Sequence, residues 1–250
     1  MNQDHKAPVH KILNHSIVDG RGNRTAVFLQ GCNFNCAYCH NPETIDLKDP
    51  TVSLTWMTPA EVTNRVLANA PFVRGVTVSG GECTLHPEFL RAFFWDVKDR
   101  GKGKAPGGGN LTTLIDSNGS YDFRNDPELL KVTDGILLDV KEGNPEMHRE
   151  LIGASNVQVL DNLVYLAQRG KLEEIRTVVV PGRTDPEETI RTVARLLGEH
   201  RKQATYRLIK YRPMGVRKEM LKGLKVPNNH TMEELRNLAV ELGFGKVIVT

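Results

Sequence analysis

Segments with the pattern of a strand and of a helix alternate six times along this chain of 250 residues. A capping box with a proline at the first helical position, Thr58-Pro59-Ala60-Glu61, marks one helix start. Parallel strands joined by helical crossovers produce this order, and six units are too few to close an eight-stranded barrel. The sequence therefore predicts an α/β fold, a partial (β/α)6 TIM-like barrel with parallel strands. The six strand-like segments are residues 25–31, 74–79, 111–115, 135–138, 175–180 and 206–211.

Three of the four cysteines lie in one loop directly after the first of these strands, at C-x3-C-x2-C spacing: Cys32, Cys36 and Cys39. The carboxyl ends of strands are where α/β proteins usually carry their chemistry. Thiolates this close repel one another unless a metal or an oxidised bond takes up their charge, and the loop is too tight for a comfortable disulfide framework. Because a closed [4Fe–4S] cluster normally takes four thiolates, three would leave one iron open to a small molecule.

Other readings of the loop stay open at this point. A Cys3His zinc site with His40 is conceivable, but structural zinc sites usually join two loops, and adjacent Cys39 and His40 would strain the tetrahedron. The string C-x-x-C-H also marks haem attachment, which takes place outside the cytoplasm, and the chain opens without an apolar export segment. A C-x-x-C redox pair would leave Cys32 superfluous. A zinc-binding module without catalysis is the alternative from a different functional class.

Composition limits the partners and the location. The chain has 33 basic and 30 acidic residues, a net charge of +3, which is too balanced for a general nucleic-acid binder. No run approaches the roughly 18 apolar residues of a membrane span, and no signal peptide or lipidation motif is present. We expect a cytoplasmic protein with no nucleic-acid or membrane partner. It would form one domain over residues 1–250, of which residues 1–9 are a loose tail.

Longer motifs around the cysteines carry a family resemblance. Residues 18–24 (VDGRGNR), 28–32 (FLQGC) and 38–42 (YCHNP) resemble the glycyl-radical-enzyme activating enzymes of the radical S-adenosylmethionine (SAM) superfamily, of which pyruvate formate-lyase activating enzyme is the best-known member. Arg21 stands where that family usually has proline. Some members carry a ferredoxin-like insertion with eight further cysteines after the loop, and this chain has none, so the resemblance implies one cluster only.

The resemblance implies the same partial barrel and a defined reaction. A [4Fe–4S] cluster held by Cys32, Cys36 and Cys39 would bind SAM and cleave it reductively. The resulting 5′-deoxyadenosyl radical would take a hydrogen from a glycine of a partner glycyl-radical enzyme, with flavodoxin or ferredoxin as electron donor. No side chain is then needed as general acid or base, so we expect no catalytic side chain. The alternatives with the same chemistry are an activase of anaerobic ribonucleotide reductase and a 7-carboxy-7-deazaguanine synthase-like enzyme.

Polar motifs at the strand ends supply the expected cofactor site. Gly80, Gly81 and Glu82 resemble the segment that binds the SAM amino group, although paired glycines alone more often make a turn. Asp116, Ser117, Asp139 and the backbone of Leu137 look like a monovalent-cation site that touches the SAM carboxylate, whereas Asp116 alone would be read as an Asx-turn. The remaining expected SAM contacts are Lys141 and Arg176 to a carboxylate or ribose hydroxyl, Tyr38, His40 and Val178 around adenine, and Asn41 of the shared motif.

Two residues differ from the usual pattern of the family, and one stretch is rich in basic side chains. Cys83 replaces the proline usual after the Gly-Gly-Glu segment, and Arg212 stands where activases often have histidine. Residues 207–225 hold seven basic side chains against one acid, Glu219. These could be a solvated face, or they could dock an acidic electron donor.

Overall fold

The computed structural model describes residues 5–49, 51–220 and 222–250. Its strands are β1 Ala7–Ser16, β2 Arg24–Leu29, β3 Thr55–Met57, β4 Gly75–Gly80, β5 Thr112–Ser117, β6 Gly135–Asp139, β7 Leu172–Val179, β8 Thr205–Lys210 and β9 Lys246–Val249. Its α-helices are α1 Pro59–Asn69, α2 Pro87–Arg100, α3 Pro127–Val132, α4 Pro145–Ile152, α5 Val157–Gln168, α6 Pro186–Leu197 and α7 Asn229–Glu241. The described part contains no helix that is both long and apolar enough to cross a bilayer.

The chain divides into two compact units. The first comprises the described residues within 5–33, 43–117 and 123–136. Its strands lie in the order β3-β1-β2-β4-β5, followed by the first two residues of β6. Strands β2, β4 and β5 are parallel, whereas β1 pairs antiparallel with both β2 and β3. The core is apolar, and α2 contributes Phe89, Leu90, Phe93, Phe94 and Val97 to it.

The second unit comprises residues 34–42, 118–122 and 137–250. It contains the rest of β6, followed by β7, β8 and β9 in that spatial order. Strands β7, β8 and β9 are parallel. Helices α4 to α7 belong to this unit and contribute buried aliphatic side chains such as Leu163, Ile190 and Leu235.

The α/β prediction with parallel strands is confirmed: each of β2, β4, β5, β6, β7 and β8 is followed by at least one helix before the next of them. The capping box is also confirmed, since the Thr58 hydroxyl accepts from the Glu61 amide and the Glu61 carboxylate accepts from the Thr58 amide. Proline occupies the first turn of α1, α2, α3, α4 and α6. Because proline lacks an amide donor, these positions favour helix starts over continued strands.

The amino-terminal region differs from the expectation. Strand β1 begins at Ala7, so the last three residues of the predicted tail are in a strand, and residues 1–4 lie outside the described part. Ala7 and Val9 are buried, and both pair with β3. Strand β3 has only three residues and therefore no periodic pattern that would predict it. The expectation of one domain over residues 1–250 stays a prediction.

A buried arginine ties the first unit together at the amino end of β2. Arg24 is 2% exposed, and its Nε donates to the Thr77 hydroxyl at 2.7 Å. Its Nη2 donates to the carbonyls of Val76 at 2.7 Å and Thr112 at 3.1 Å. Its Nη1 reaches the Thr112 hydroxyl and the Arg21 carbonyl. One guanidinium therefore satisfies acceptors on two neighbouring strands and on the loop that precedes β2.

Candidate functional site

Cys32, the first cysteine of the loop, lies in the first unit and is separated from the end of β2 by Gln30 and Gly31. The Gly31 amide donates to the Thr44 carbonyl at 2.8 Å, and the Cys32 amide donates to the Ile45 carbonyl at 3.0 Å. The fully buried Gln30 side chain donates to two further carbonyls of the 43–46 segment. The segment after the loop therefore holds the backbone at Cys32, and the Cys32 side chain is partly exposed.

The second and third cysteines lie in the second unit, on a loop bound to the carboxyl end of α4. The amides on either side of Cys36 donate to that helix, Asn35 to the Ile152 carbonyl at 3.0 Å and Ala37 to the Leu151 carbonyl at 2.9 Å. These carbonyls belong to the last turn of α4, where helix carbonyls lack intrahelical partners. The loop thus caps the helix, and the helix fixes the backbone around Cys36.

The segment after β8 covers this loop. His40 Nε2 lies 2.8 Å from the Arg212 carbonyl and donates to it, and Arg217 Nη2 donates to the Cys36 carbonyl at 3.2 Å. Gly215 has φ +80°, and a Cβ there would lie 2.1 Å from the His40 carbonyl oxygen. Arg212 therefore contacts His40 through its own backbone carbonyl. This contact does not require the histidine that activating enzymes often have at position 212.

The environment of Cys36 is buried and charged. Burial raises the pKa of the Cys36 thiol, and the positive charge of Lys141 lowers it in part. Lys141 Nζ donates to Asp139 Oδ2 at 2.7 Å, and both side chains are largely buried. Burial acts to lower the pKa of Lys141, but the charge of Asp139 and the hydrogen bond to it act in the opposite direction, and the pKa lies well above its ordinary value. Lys141 is thus a buried cation beside a cysteine of the loop.

The residues present fit an iron–sulfur cluster and SAM. No disulfide joins Cys32, Cys36, Cys39 or Cys83, so the loop keeps three thiols that can act as ligands. Tyr38 is 4% exposed, and its hydroxyl has no hydrogen-bond partner among the described residues. A buried hydroxyl without a partner is costly, which suits a position that a ligand completes. His40 and Asn41 are exposed, and Val178 is half-buried.

In the first unit, Glu82 and Ser117 meet at the ends of β4 and β5. The Glu82 carboxylate is 1% exposed and accepts from the Ser117 hydroxyl at 2.9 Å. It also accepts from the Thr84 hydroxyl at 2.6 Å and from the Thr84 amide. Asp116 accepts from the Ser79 hydroxyl at 3.0 Å. Two of the predicted site residues, Glu82 and Ser117, are therefore hydrogen-bonded to each other, whereas Asp116 bonds to Ser79.

The two glycines before Glu82 have a packing reason as well as the predicted ligand-binding one. Gly80 has φ +125°, and a Cβ there would lie 2.1 Å from the Leu29 carbonyl oxygen. A Cβ on Gly81 would lie 2.2 Å from the Gly31 carbonyl oxygen. The Gly81 amide donates to Leu29 and the Glu82 amide to Gly31. The glycines thus allow this turn to pack directly on the end of β2.

Cys83 is fully buried, and its thiol donates to the Val78 carbonyl at 3.4 Å. Burial first, and then the charges of Glu82 and Asp116, raise the pKa of this thiol well above its ordinary value. Cys83 is a small buried side chain with a weak donor.

The predicted cation ligands are distributed over the two units. Leu137 is fully buried in β6, and Asp139, at the end of that strand, already pairs with Lys141. No three His, Cys, Asp or Glu side chains of residues 5–49, 51–220 and 222–250 are arranged to hold one metal ion. The monovalent-cation site stays a prediction.

Glu174 contacts one of the predicted site residues, and the sequence interpretation missed this contact. Its carboxylate accepts from Arg176 Nε at 2.7 Å, and Arg176 is 8% exposed. The sequence contained a signal for this contact, because residues two positions apart on a strand lie on the same face. A glutamate two positions before an expected ligand was therefore its nearest candidate partner.

Comparisons with known proteins identify the family of this chain. The family described as the Radical SAM superfamily matches residues 26–197. Pyruvate formate-lyase 1-activating enzyme of Escherichia coli strain K12 is 34% identical over 246 residues, covering 94% of this chain and 96% of that relative. Pyruvate formate-lyase-activating enzyme of Streptococcus mutans is 36% identical, covering 84% of this chain and 79% of the relative.

One solved structure is similar to this chain in fold. The crystal structure of QueE from Escherichia coli aligns with 99% of this chain and 96% of its own, with a TM-score of 0.58 and 15% sequence identity. At that identity the likeness concerns the fold alone. The fold prediction is confirmed by this alignment together with the strand pattern.

Proposed function

This chain belongs to the radical SAM superfamily and, within it, to the glycyl-radical-enzyme activating enzymes, and we propose that Cys32, Cys36 and Cys39 hold the [4Fe–4S] cluster of that chemistry. The observation that carries the proposal is the set of three thiols at C-x3-C-x2-C spacing, none of them in a disulfide, in a loop with its backbone anchored on both sides of Cys36. When bound, the cluster and SAM supply the electron and the 5′-deoxyadenosyl radical that removes a hydrogen atom from the partner's glycine.

The protein's own residues then bind, orient and exclude water. Glu82 offers a buried carboxylate for the SAM amino group, and its bonds from Thr84 and Ser117 hold it in one rotamer. Lys141 offers a buried cation whose charge Asp139 offsets. Tyr38 presents an apolar ring and a hydroxyl that a ligand can complete.

The other predicted contacts stay part of the proposal. They are Gly80, Gly81, Arg176, Val178, His40 and Asn41 for SAM, and Asp116, Ser117, Asp139 and the Leu137 carbonyl for a monovalent cation. The expectation of a cytoplasmic location also stays a prediction.

The partner we propose is a glycyl-radical enzyme, and the pyruvate formate-lyase class is the first to test because the relatives above are named for it. The protein would be reconstituted anaerobically with iron and sulfide, reduced, and incubated with SAM and a pyruvate formate-lyase. We expect a glycyl-radical signal in electron paramagnetic resonance and one 5′-deoxyadenosine per radical. Formation of 5′-deoxyadenosine without a glycyl radical would support the SAM chemistry but reject this class of partner. Neither product, from protein that holds about four irons, would reject the proposed function.

The electron donor we propose is an acidic flavodoxin or ferredoxin that docks on the basic loop, defined as Arg212, Arg217, Lys218, Lys222 and Lys225. All but Arg217 are exposed, and Arg217 reaches the Cys36 carbonyl. Two members of the predicted basic stretch do not belong to this loop, because Arg207 is bound to Glu174 and Lys210 donates to Asn229.

Charge reversal tests this docking. We expect Lys218→Glu/Lys222→Glu to slow cluster reduction by flavodoxin about tenfold or more at low salt and to lose this effect at high salt, because steering between exposed charges is screened. Stopped-flow absorbance under anaerobic conditions measures the rate. The matched control is Lys102→Glu/Lys104→Glu, which makes the same charge change at exposed positions outside the loop. An equal effect of both double variants would mean that net charge, not this loop, steers the donor.

A further inference from the structure

Glu174, Arg176 and Arg207 form a buried charged cluster on neighbouring strands. Glu174 Oε1 accepts from Arg176 Nε at 2.7 Å and from Arg207 Nε at 2.8 Å, while Oε2 accepts from Arg207 Nη2 at 2.9 Å. Arg176 and Arg207 are register partners in the parallel β7–β8 ladder. One carboxylate therefore lies between two guanidinium groups.

The carboxylate of this cluster is ionised. Burial raises the pKa of Glu174, but the hydrogen bonds and charges of Arg207 and Arg176 outweigh burial and hold that pKa below its ordinary value. A buried charge with partners of opposite sign keeps a fixed geometry, because breaking one pair would leave an uncompensated charge.

The backbone of Arg176 connects the cluster to the expected SAM contacts. Its carbonyl accepts from the amide of Val140 at 2.9 Å, and Val140 lies between Asp139 and Lys141 in the sequence. Arg176 is thus bound by its backbone to the segment that carries Lys141 and by Nε to Glu174. A planar guanidinium with its Nε edge anchored loses most of its rotational freedom before a ligand arrives.

We propose that Glu174 is a positioning residue that fixes the Arg176 guanidinium for SAM, whereas the Arg207–Glu174 pair adds only to the stability of the fold. This inference rests on the proposed function, in which Arg176 contacts a carboxylate or ribose hydroxyl of SAM. Glu174 itself acts only through Arg176. The role differs from that of an ordinary structural ion pair, because it affects SAM affinity separately from fold stability.

The test compares SAM binding with stability in holoenzyme variants. Glu174→Gln keeps the shape and removes the charge, and we expect it to raise both the Kd of SAM, measured by calorimetry, and the KM about tenfold, with kcat within about twofold. Arg207→Gln removes the Arg207–Glu174 pair and leaves the Arg176–Glu174 pair. We therefore expect its thermal midpoint to fall about as much as that of Glu174→Gln, while its SAM affinity stays within about twofold of the wild-type value. Glu173→Gln, the same change one residue earlier on the strand, is the matched control.

The outcomes are distinguishable. The positioning role would be overturned if Glu174→Gln bound SAM as tightly as wild type. It would also be overturned if Glu174→Gln and Arg207→Gln lost SAM affinity equally. Either result would leave the proposed function intact. Absence of SAM binding by loaded wild-type protein would instead reject the proposed function. If Glu174→Gln does not fold or load iron, Glu174→Asp is measured by the same criteria, since it keeps the charge and shortens the reach. An unchanged SAM affinity in that variant would overturn the inference.

Discussion

Cys36→Ala is expected to abolish 5′-deoxyadenosine formation from SAM and to lower the bound iron well below the about four atoms per chain of a full cluster. Cys36 is the middle thiol of the loop, and no fourth cysteine lies in the loop to replace it. The fold itself should survive, because the amides of Asn35 and Ala37, not the thiol, bind the loop to α4. Iron and sulfide analysis with chromatography of the reaction products measures both effects.

The matched control is Cys83→Ala, which removes the remaining cysteine of the chain. We expect this variant to keep its iron and its 5′-deoxyadenosine formation, because the Cys83 thiol lies outside the loop, is fully buried and donates to the Val78 carbonyl. Iron loss from Cys83→Ala equal to that from Cys36→Ala would contradict the assignment of the ligands. One bound zinc per chain in place of iron, in protein purified anaerobically, would favour the zinc-binding alternative.

Arg24→Met is expected to lower the stability of the protein by about 3–5 kcal/mol, among the largest costs of a single substitution. The variant keeps a similar side-chain length but removes every donor from acceptors on Thr77, Val76, Thr112 and Arg21. Buried acceptors left without donors pay their full desolvation cost. Thermal unfolding of the cluster-free protein should show a midpoint lower by roughly 10 °C for a chain of this size.

Arg65→Met provides the comparison, because Arg65 is an exposed arginine of α1 in the same unit. Its substitution should change stability by less than about 0.5 kcal/mol. A midpoint for Arg24→Met close to that of Arg65→Met would mean that the β2, β4 and β5 strand ends tolerate loss of the guanidinium. The buried network would then be dispensable for the first unit.

Much of the fold was readable because the signals are local. The alternation of strand and helix patterns, the capping box at Thr58 and the first-turn prolines each depend on residues within a few positions of one another. The strand β3 escaped prediction because three residues contain too little periodicity, and its partner, β1, is more than forty positions away.

The sequence by itself determined which residues are proposed as the donor set of this protein: three thiols in one loop after a strand, with Gly-Gly-Glu and Asp-Ser at later strand ends. These follow from residue type and spacing along one stretch of chain. Only the tertiary structure decided how those residues are held. The carbonyls of α4 that bind the cysteine loop, the Arg212 carbonyl that meets His40, and the Glu174–Arg207 pair beside Arg176 join positions far apart in the sequence. Backbone carbonyls occur at every residue, so no residue type marks which of them will serve, and only folding brings these pairs together.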